Sequence, residues 1–414
     1  MIQISKDFAP PLKMIEPFFK FGSIAYLISI ISLLFLNQSL ELTDLRVVGW
    51  AHLFLLGFVM IIIFGAMAQL IPVVLEVGHH NIDLYRYIFY FLALGLSIMV
   101  IGFWFFPWVL SIGGFLVLIS MILFLYETFA TLKKTSSNSL SVKTIKVGNI
   151  FLTIAIIIGF LMALAISIGF NLDINKFLNI HIAFVLIGYI VITIIGISMI
   201  LLPMFGLAHG YDDSDVNLSF RILVISTLLF TLSKFFKLDL LSEIFLIGII
   251  GGVGLYIRQI VTLYNIRARK IVDIWYKHLY VAYASLFLVI VYLIFWLILG
   301  GDRIIKSAIW LFLLGFVTFM INAHLIKIIP FLVWFERFSP LVGKQKVPML
   351  HEMLPNKDVE FSFWLSLLGL IFGLFALMFG SDAMFKGGVS LLIFGAIFMV
   401  KTVLYILNYK LVEE

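Results

Sequence analysis

The sequence carries one skeleton three times: a glycine, a small residue eight positions later and a proline fifteen positions later. The copies are Gly57, Gly65 and Pro72, then Gly188, Gly196 and Pro203, then Gly315, Ala323 and Pro330. The second copy is displaced from the first by 131 residues, and the third from the second by 127. Each copy lies in a long apolar stretch. The pattern predicts three helices in equivalent positions around a pseudo-threefold axis.

The spacing places the skeleton on one helix face. An α-helix turns by about 100° per residue, so the three positions fall within about 80° of one another. Small residues let a second helix, or a flat ligand, approach the backbone closely. The proline removes a backbone hydrogen bond and permits a kink. Generic helix packing in membranes produces a single copy of this pattern as well.

Twelve apolar spans account for most of the chain. Of its 414 residues, 63% are hydrophobic and 12% charged, and the mean hydropathy is +1.18. The predicted spans are roughly 21–36, 48–77, 86–106, 107–131, 145–169, 179–204, 217–236, 240–265, 275–299, 305–334, 361–380 and 386–408. We predict one all-α transmembrane domain over 1–414, with three four-helix units at about 1–135, 140–266 and 270–414. The spans lack the alternating polarity of a membrane β-barrel.

The distribution of Lys and Arg predicts the orientation. The basic clusters at 133–146, 267–277 and 337–357 all fall on one side of the predicted membrane. The positive-inside rule makes that side cytoplasmic, which predicts an inner (cytoplasmic) membrane protein with both termini in the cytoplasm. The net charge of +6 then reflects topology, and no nucleic-acid partner is expected. The chain has no cysteine, which excludes thiolate metal sites and iron–sulfur clusters.

Histidines and acids follow two of the prolines. His79 and His80 lie in VGHHNID, and His209 lies in LAHGYDD. Both stretches lie at the predicted cytoplasmic membrane edge. They are interpreted either as solvated turns or as a carboxylate–imidazole site for proton entry or metal binding.

The segment GWAHLFLLGFVMIIIFGAMAQLIPVV, residues 49–74, resembles the second helix of subunit I in the heme-copper oxidase superfamily. It also looks like the haem-containing NnrS-type membrane proteins, which are linked to nitric oxide stress. The resemblance covers the twelve spans in outline and is specific around span 2 and, more loosely, span 6. It implies three four-helix arcs, haem b as cofactor, and His52 as an axial haem ligand.

The chain departs from that family at its copper site. The family has a His-x-His motif at the start of helix 10, where this chain has SAIWLFLLGF, residues 307–316. Span 7, FRILVISTLLFTLSKFF, lacks the adjacent histidines that bind copper, and the His-Pro-Glu motif of helix 6 is absent. His181 is the remnant at the start of span 6. Copper and a normal oxygen-reducing centre are therefore not expected.

His52 and His181 lie at similar depths in the outer third of their predicted helices. Counted from the skeleton glycine they stand at −5 and −7, which corresponds to about 200° of rotation. In a threefold ring, such opposite faces of neighbouring helices look into one pocket, so the pair could be bis-imidazole haem ligands or share one metal ion. Alternatively, they face separate pockets or make local hydrogen bonds at the membrane interface.

Three more residues of the spans carry polar chemistry. His324, in NAHLIKIIP, is buried deeply enough to be a haem ligand, a propionate partner or a proton relay. Arg258 either neutralises an acidic cofactor group such as a propionate or extends toward the cytoplasm. His278, at the start of span 9, is interpreted as an interface anchor.

The resemblance implies a haem-binding membrane protein that transfers electrons or handles nitric oxide or oxygen, with a quinol or a redox protein as partner. If it is an enzyme, it is a haem-dependent oxidoreductase. The alternative is a 12-helix transporter or a haem-free structural subunit, since twelve spans also suit a transporter built from two six-helix halves.

Overall fold

The computed structural model describes residues 10–410, which form helices and connecting loops without a β-strand. Within this described range, twelve helices are long and apolar enough to span a membrane, which confirms the all-α fold. We name them in chain order α1 (Leu12–Phe35), α2 (Leu45–Leu75), α3 (Leu84–Trp104), α4 (Pro107–Leu132), α5 (Leu140–Ile168), α6 (Ile174–Gly206), α7 (Ser214–Phe235), α8 (Asp239–Ile266), α9 (Ile274–Leu299), α10 (Asp302–Arg337), α11 (Asn356–Phe379) and α12 (Asp382–Leu407).

The predicted start of the first span was wrong by nine residues. The predicted span begins at residue 21, after Lys13, Glu16 and Lys20, whereas α1 begins at Leu12. Lys20 and Glu16 form an ion pair one turn apart on α1, so these charges support the helix instead of ending it. The predicted cytoplasmic termini, residues 1–9 and 411–414, lie outside the described residues.

Contacts between residues divide the described chain into two compact units. Unit A comprises residues 70–271, and unit B comprises residues 10–69 and 272–410. This division differs from the three four-helix units predicted from the repeat, and the pseudo-threefold arrangement stays a prediction.

Several helix pairs share a serine-to-carbonyl hydrogen bond, among them α5 and α6 through Ser141 Oγ and Gly196 O at 2.8 Å. In unit A, Ser120 Oγ on α4 donates to Ile88 O on α3, and Ser219 Oγ on α7 donates to Gly252 O on α8, both at 2.7 Å. In unit B, Ser362 Oγ on α11 donates to Gly395 O on α12 at 2.8 Å. Lipid offers a hydroxyl no acceptor, so these serines bond to the neighbouring helix, and each bond joins two helices at close range.

The first glycine of each skeleton lies in a π-helical segment. The segments are Leu55–Met60 in α2, Phe184–Val191 in α6 and Leu311–Val317 in α10. At the end of each, one amide donates to the carbonyl five residues back: Ile61 to Leu56, Ile192 to Ile187 and Thr318 to Leu313. Short π segments are rare and concentrate at functional sites. A third feature, besides glycine and proline, therefore recurs in the same three helices.

The skeleton glycines pack against the helix that precedes them in the chain. An added Cβ at Gly65 would lie 2.7 Å from Phe18 Cβ of α1, and one at Gly188 would lie 2.8 Å from Phe151 Cβ of α5. At Gly315 it would lie 2.6 Å from Ser285 Cβ of α9. Helix packing, one of the two interpretations left open by the sequence, thus explains these positions.

We expect Gly315→Ala to destabilise the protein by about 1–3 kcal/mol, because the added methyl group overlaps Ser285. The matched control is Gly251→Ala on α8, where nothing lies within 4 Å. Alanine there favours the helix and should stabilise by about 0.5–1 kcal/mol. Thermal unfolding in detergent measures both variants. Shifts of the same sign and size would contradict the packing explanation.

Candidate functional site

Two histidine-bearing segments are built alike from the start of the helix. The carboxylates of Asp44 and Asp173 cap α2 and α6 by accepting from the amides of Arg46 at 2.9 Å and Lys176 at 3.2 Å. The Arg46 side chain also donates to Asp44 and lowers the pKa of that carboxyl group. His52 and His181 each follow their capping aspartate by eight residues, so the caps determine which turn carries each imidazole.

The π segments account for the different offsets of the two histidines. Each π segment begins three residues after its histidine, at Leu55 in α2 and at Phe184 in α6. The segment is six residues long in α2 and eight in α6, and these two additional residues turn the −5 offset into −7. The rotation of about 200° assumed an unbroken α-helix and does not apply. Counted from the cap, the two histidines hold equivalent positions.

The third copy has no imidazole at this position. Its π segment begins at Leu311, and the residue three positions earlier is Ala308, which is 2% exposed. The position three residues before the π segment is therefore a histidine in α2 and α6 and a buried alanine in α10.

His52 is held in one tautomer by its own helix. Its Nδ1 lies 2.8 Å from the carbonyl oxygen of Val48, one turn earlier. A carbonyl oxygen can only accept a hydrogen bond, so Nδ1 carries the proton and Nε2 of the neutral ring is an acceptor. The side chain is partly buried. Histidine ligands of metals commonly donate their second ring nitrogen to a carbonyl in this way.

His181 is held in the same tautomer by the neighbouring helix. Its Nδ1 lies 2.9 Å from the carbonyl oxygen of Ala155 on α5. The ring lies over Gly159, where an added Cβ would be 2.8 Å from His181 Cε1. Only a glycine leaves room for the imidazole here, and α5 therefore determines where the ring of His181 lies.

His324 has a buried ring nitrogen without a hydrogen-bond partner in the described part of the chain. Its Nδ1 lies 2.7 Å from Met320 O, and its Nε2 is the buried atom that lacks a partner. The edge of the Trp275 ring approaches it, with centroids 6.3 Å apart. A buried acceptor without a partner is costly, which makes His324 a site for a donor or a metal ligand.

His278 is not the interface anchor predicted from the sequence. Its ring is 1% exposed and packs against Phe319 and Phe363, with centroids 5.7 and 5.0 Å apart. Its Nδ1 lies 2.8 Å from Ile274 O. The prediction considered the position of His278 near the end of α9, whereas the flanking helices α10 and α11 cover this side of α9.

Arg258 has a carboxylate partner within the protein. Its guanidinium makes two hydrogen bonds to Asp215 on α7, and its side chain remains 65% exposed. The matching pair in unit B is Lys401 with Asp358, 3.0 Å apart, at the same separation of 43 residues. Of the two roles considered for Arg258, extension toward the helix end agrees with this exposure. Binding of a propionate would compete with Asp215.

A buried carboxylate that the sequence reasoning missed organises the loop after α2. Glu127 on α4 is 0% exposed and accepts hydrogen bonds from His79 Nδ1 at 3.0 Å, His80 N at 2.9 Å and Asn81 N at 3.2 Å. The hydroxyl of Thr131 donates to it at 3.0 Å. The sequence does indicate this residue, because Glu127 is a single acidic residue inside an apolar span, FLYETFATL. The loop VGHHNID thus contributes to a carboxylate–imidazole pair, His79 with Glu127. In the second loop, LAHGYDD, His209 is exposed.

The candidate ligands do not form one cluster of metal-binding side chains. Within residues 10–410, no group of three or more His, Cys, Asp or Glu side chains could hold a metal ion. This pattern does not bear on haem, which takes one or two axial nitrogens. His52 and His324 belong to unit B and His181 to unit A, so the shared pocket for His52 and His181 stays a prediction.

No protein-family model matches the chain, and no curated protein matches it either.

We expect Glu127→Ala to destabilise the protein by about 3–5 kcal/mol, because it removes the buried carboxylate that accepts from His79 Nδ1 and from the amides of His80 and Asn81. Glu127→Gln keeps one acceptor oxygen and should cost less. Thermal unfolding in detergent measures the series. Glu243→Gln is the matched control, because Glu243 is exposed on α8. Equal stability of Glu127→Ala and the control would contradict a role of Glu127 in holding the loop.

Proposed function

We propose that the protein binds haem b in the membrane through His52, and that its role is electron transfer or the handling of a diatomic gas such as nitric oxide. The observation that carries the proposal is the tautomer of His52. Donation of Nδ1–H to Val48 O makes Nε2 the basic nitrogen, and an axial haem ligand needs an unprotonated nitrogen.

His181 and His324 fit the same chemistry. In both residues, Nδ1–H donates a hydrogen bond to a backbone carbonyl oxygen. The buried Nε2 of His324 has no hydrogen-bond partner among the described residues. We propose His181 as a second axial ligand or metal ligand, and His324 as a further ligand or as a donor to a propionate. Copper is not part of the proposal, since α7 carries no histidine and the third copy has Ala308.

When bound, haem would supply an iron that changes oxidation state and takes up a gas molecule. The chain would contribute the axial nitrogens, their orientation through the carbonyls of Val48 and Ala155, and an apolar surrounding that excludes water. The electron donor would be a quinol or a redox partner protein. Arg258 is proposed to bind a propionate in exchange for its present partner, Asp215.

The visible spectrum of the purified protein tests the haem proposal. After haem-replete expression we expect a haem b spectrum, which His52→Ala should remove or shift because the axial nitrogen is lost. His351→Ala is the matched control, because His351 is exposed in the loop before α11. Size-exclusion chromatography of each variant separates haem loss from misfolding. A wild-type protein without a haem band, or a folded His52→Ala protein with an unchanged band, would overturn the proposal.

A haem-free structural subunit is the second candidate, and the position of His181 favours it. The ring of His181 is already accommodated by Gly159 and Ala155 O, which is how a histidine that only packs would be held. This candidate predicts that His181→Ala lowers thermal stability while the spectrum never contains haem. The transporter alternative has no such observation in its favour.

We further propose that the protein lies in the inner membrane with both termini in the cytoplasm. The basic clusters at 133–146, 267–277 and 337–357 support this orientation. The chain has no cysteine, so a single introduced cysteine reports one site without background labelling.

We expect a membrane-impermeant maleimide to label Ser39→Cys, between α1 and α2, in cells whose outer barrier has been removed. Ser136→Cys, between α4 and α5, should react only after lysis. Both serines are exposed, so accessibility of the side chain itself is matched. The opposite pattern of labelling would reverse the orientation.

A further inference from the structure

A groove opens to the surroundings of unit B between α1 and the end of α12. Its volume is ≈ 730 Å³. The inner wall is apolar and consists of Leu27, Ile397, Val400 and Leu404. The mouth is polar and consists of Lys401, Tyr405, Asn408, Tyr409 and Lys410. The groove is therefore amphipathic, because its inner wall is apolar and its mouth is basic and aromatic.

The groove runs parallel to α12 over a distance that suits an acyl chain. Ile397 lies ten residues before the end of α12 at Leu407, which corresponds to about 15 Å along the helix. The apolar wall therefore extends well into the hydrocarbon region, and the polar mouth lies at the helix end, where headgroups lie. Tyr405 and Tyr409 are the residue type that membrane proteins place at that level.

Within residues 10–410, the mouth carries more positive than negative groups. Lys401 and Lys410 line it, and Arg337 donates from Nη1 to Tyr409 O at 3.0 Å. Asp358 lies 3.0 Å from Lys401, and Glu352 lies close enough to raise the pKa of Tyr409 after the larger effects of burial and Tyr405. Among the residues that the structure describes, three cations thus face two carboxylates. The amide of Asn408 and the hydroxyl of Tyr405 add groups that can bind a phosphate oxygen.

We propose that this groove binds one anionic glycerophospholipid. One acyl chain lies against Leu27, Val400 and Leu404, and the phosphate lies between Lys401 and Lys410. The positive mouth favours an anionic over a zwitterionic headgroup, because each basic residue near an anionic lipid contributes about 1 kcal/mol. The apolar wall favours a lipid over a small soluble anion, which would leave it uncovered. The inference does not depend on haem.

Native mass spectrometry of the full-length protein tests the proposal, with phosphatidylglycerol and phosphatidylcholine of identical acyl chains as probes. We expect one phosphatidylglycerol to bind more tightly than phosphatidylcholine. Lys410→Gln should weaken its binding about fivefold, which corresponds to ~1 kcal/mol. Lys401→Gln should act in the same direction. Lys410 is the better residue to substitute, because it is exposed and follows the end of α12. Its substitution leaves the ion pair between Lys401 and Asp358 intact.

Lys386→Gln is the matched control, because Lys386 lies on the same helix and pairs with Asp382 at 3.0 Å at the opposite end. It should leave phosphatidylglycerol binding unchanged. Equal affinity for the two lipids would overturn the proposal, and so would an equal loss of binding in Lys386→Gln. Displacement of phosphatidylglycerol by free glycerol phosphate would also overturn the proposal. Glycerol phosphate has no acyl chain, so such displacement would indicate a site for a soluble anion.

Discussion

The structure depends on backbone carbonyl groups that accept hydrogen bonds from side chains within apolar helices. Lipid supplies no hydrogen-bond partners, so a buried hydroxyl or imidazole is stabilised only by an acceptor within the protein. Serine hydroxyls meet this requirement between paired helices, as in Ser219 with Gly252 and Ser362 with Gly395. Histidines meet it through Nδ1. The same requirement that holds the helices together thus also determines which imidazole nitrogen is basic.

The glycine–proline skeleton and the helix count could be predicted because they depend on residue type and spacing alone. Apolar length sets the number of spans, and a glycine such as Gly188 marks a close approach whichever helix provides it. The start of α1 could not be predicted, since a charge at Glu16 ends an apolar run in the sequence yet pairs with Lys20 in the helix. Helix ends depend on such pairs as much as on hydropathy.

The candidate site was predictable in its residue types and not in its geometry. His52 and His324 attract attention as imidazoles in apolar spans, but which ring nitrogen holds a proton depends on carbonyls whose positions the sequence does not give. The partner of Glu127 lies 48 residues earlier in the chain, which no local pattern indicates. The phase between His181 and its glycine was misjudged because the residues between them were taken as α-helical, whereas Phe184–Val191 is π-helical.

The π segments have a consequence for how related chains are aligned. Segments of six, eight and seven residues occupy the same place in three helices, so these helices can gain or lose residues there while their caps and prolines keep their roles. An ungapped alignment anchored on the glycines and prolines would place the starts of α2 and α6 two residues out of step and would pair His52 with a residue other than His181. Relatives of this chain should be sought with length changes allowed at these three points.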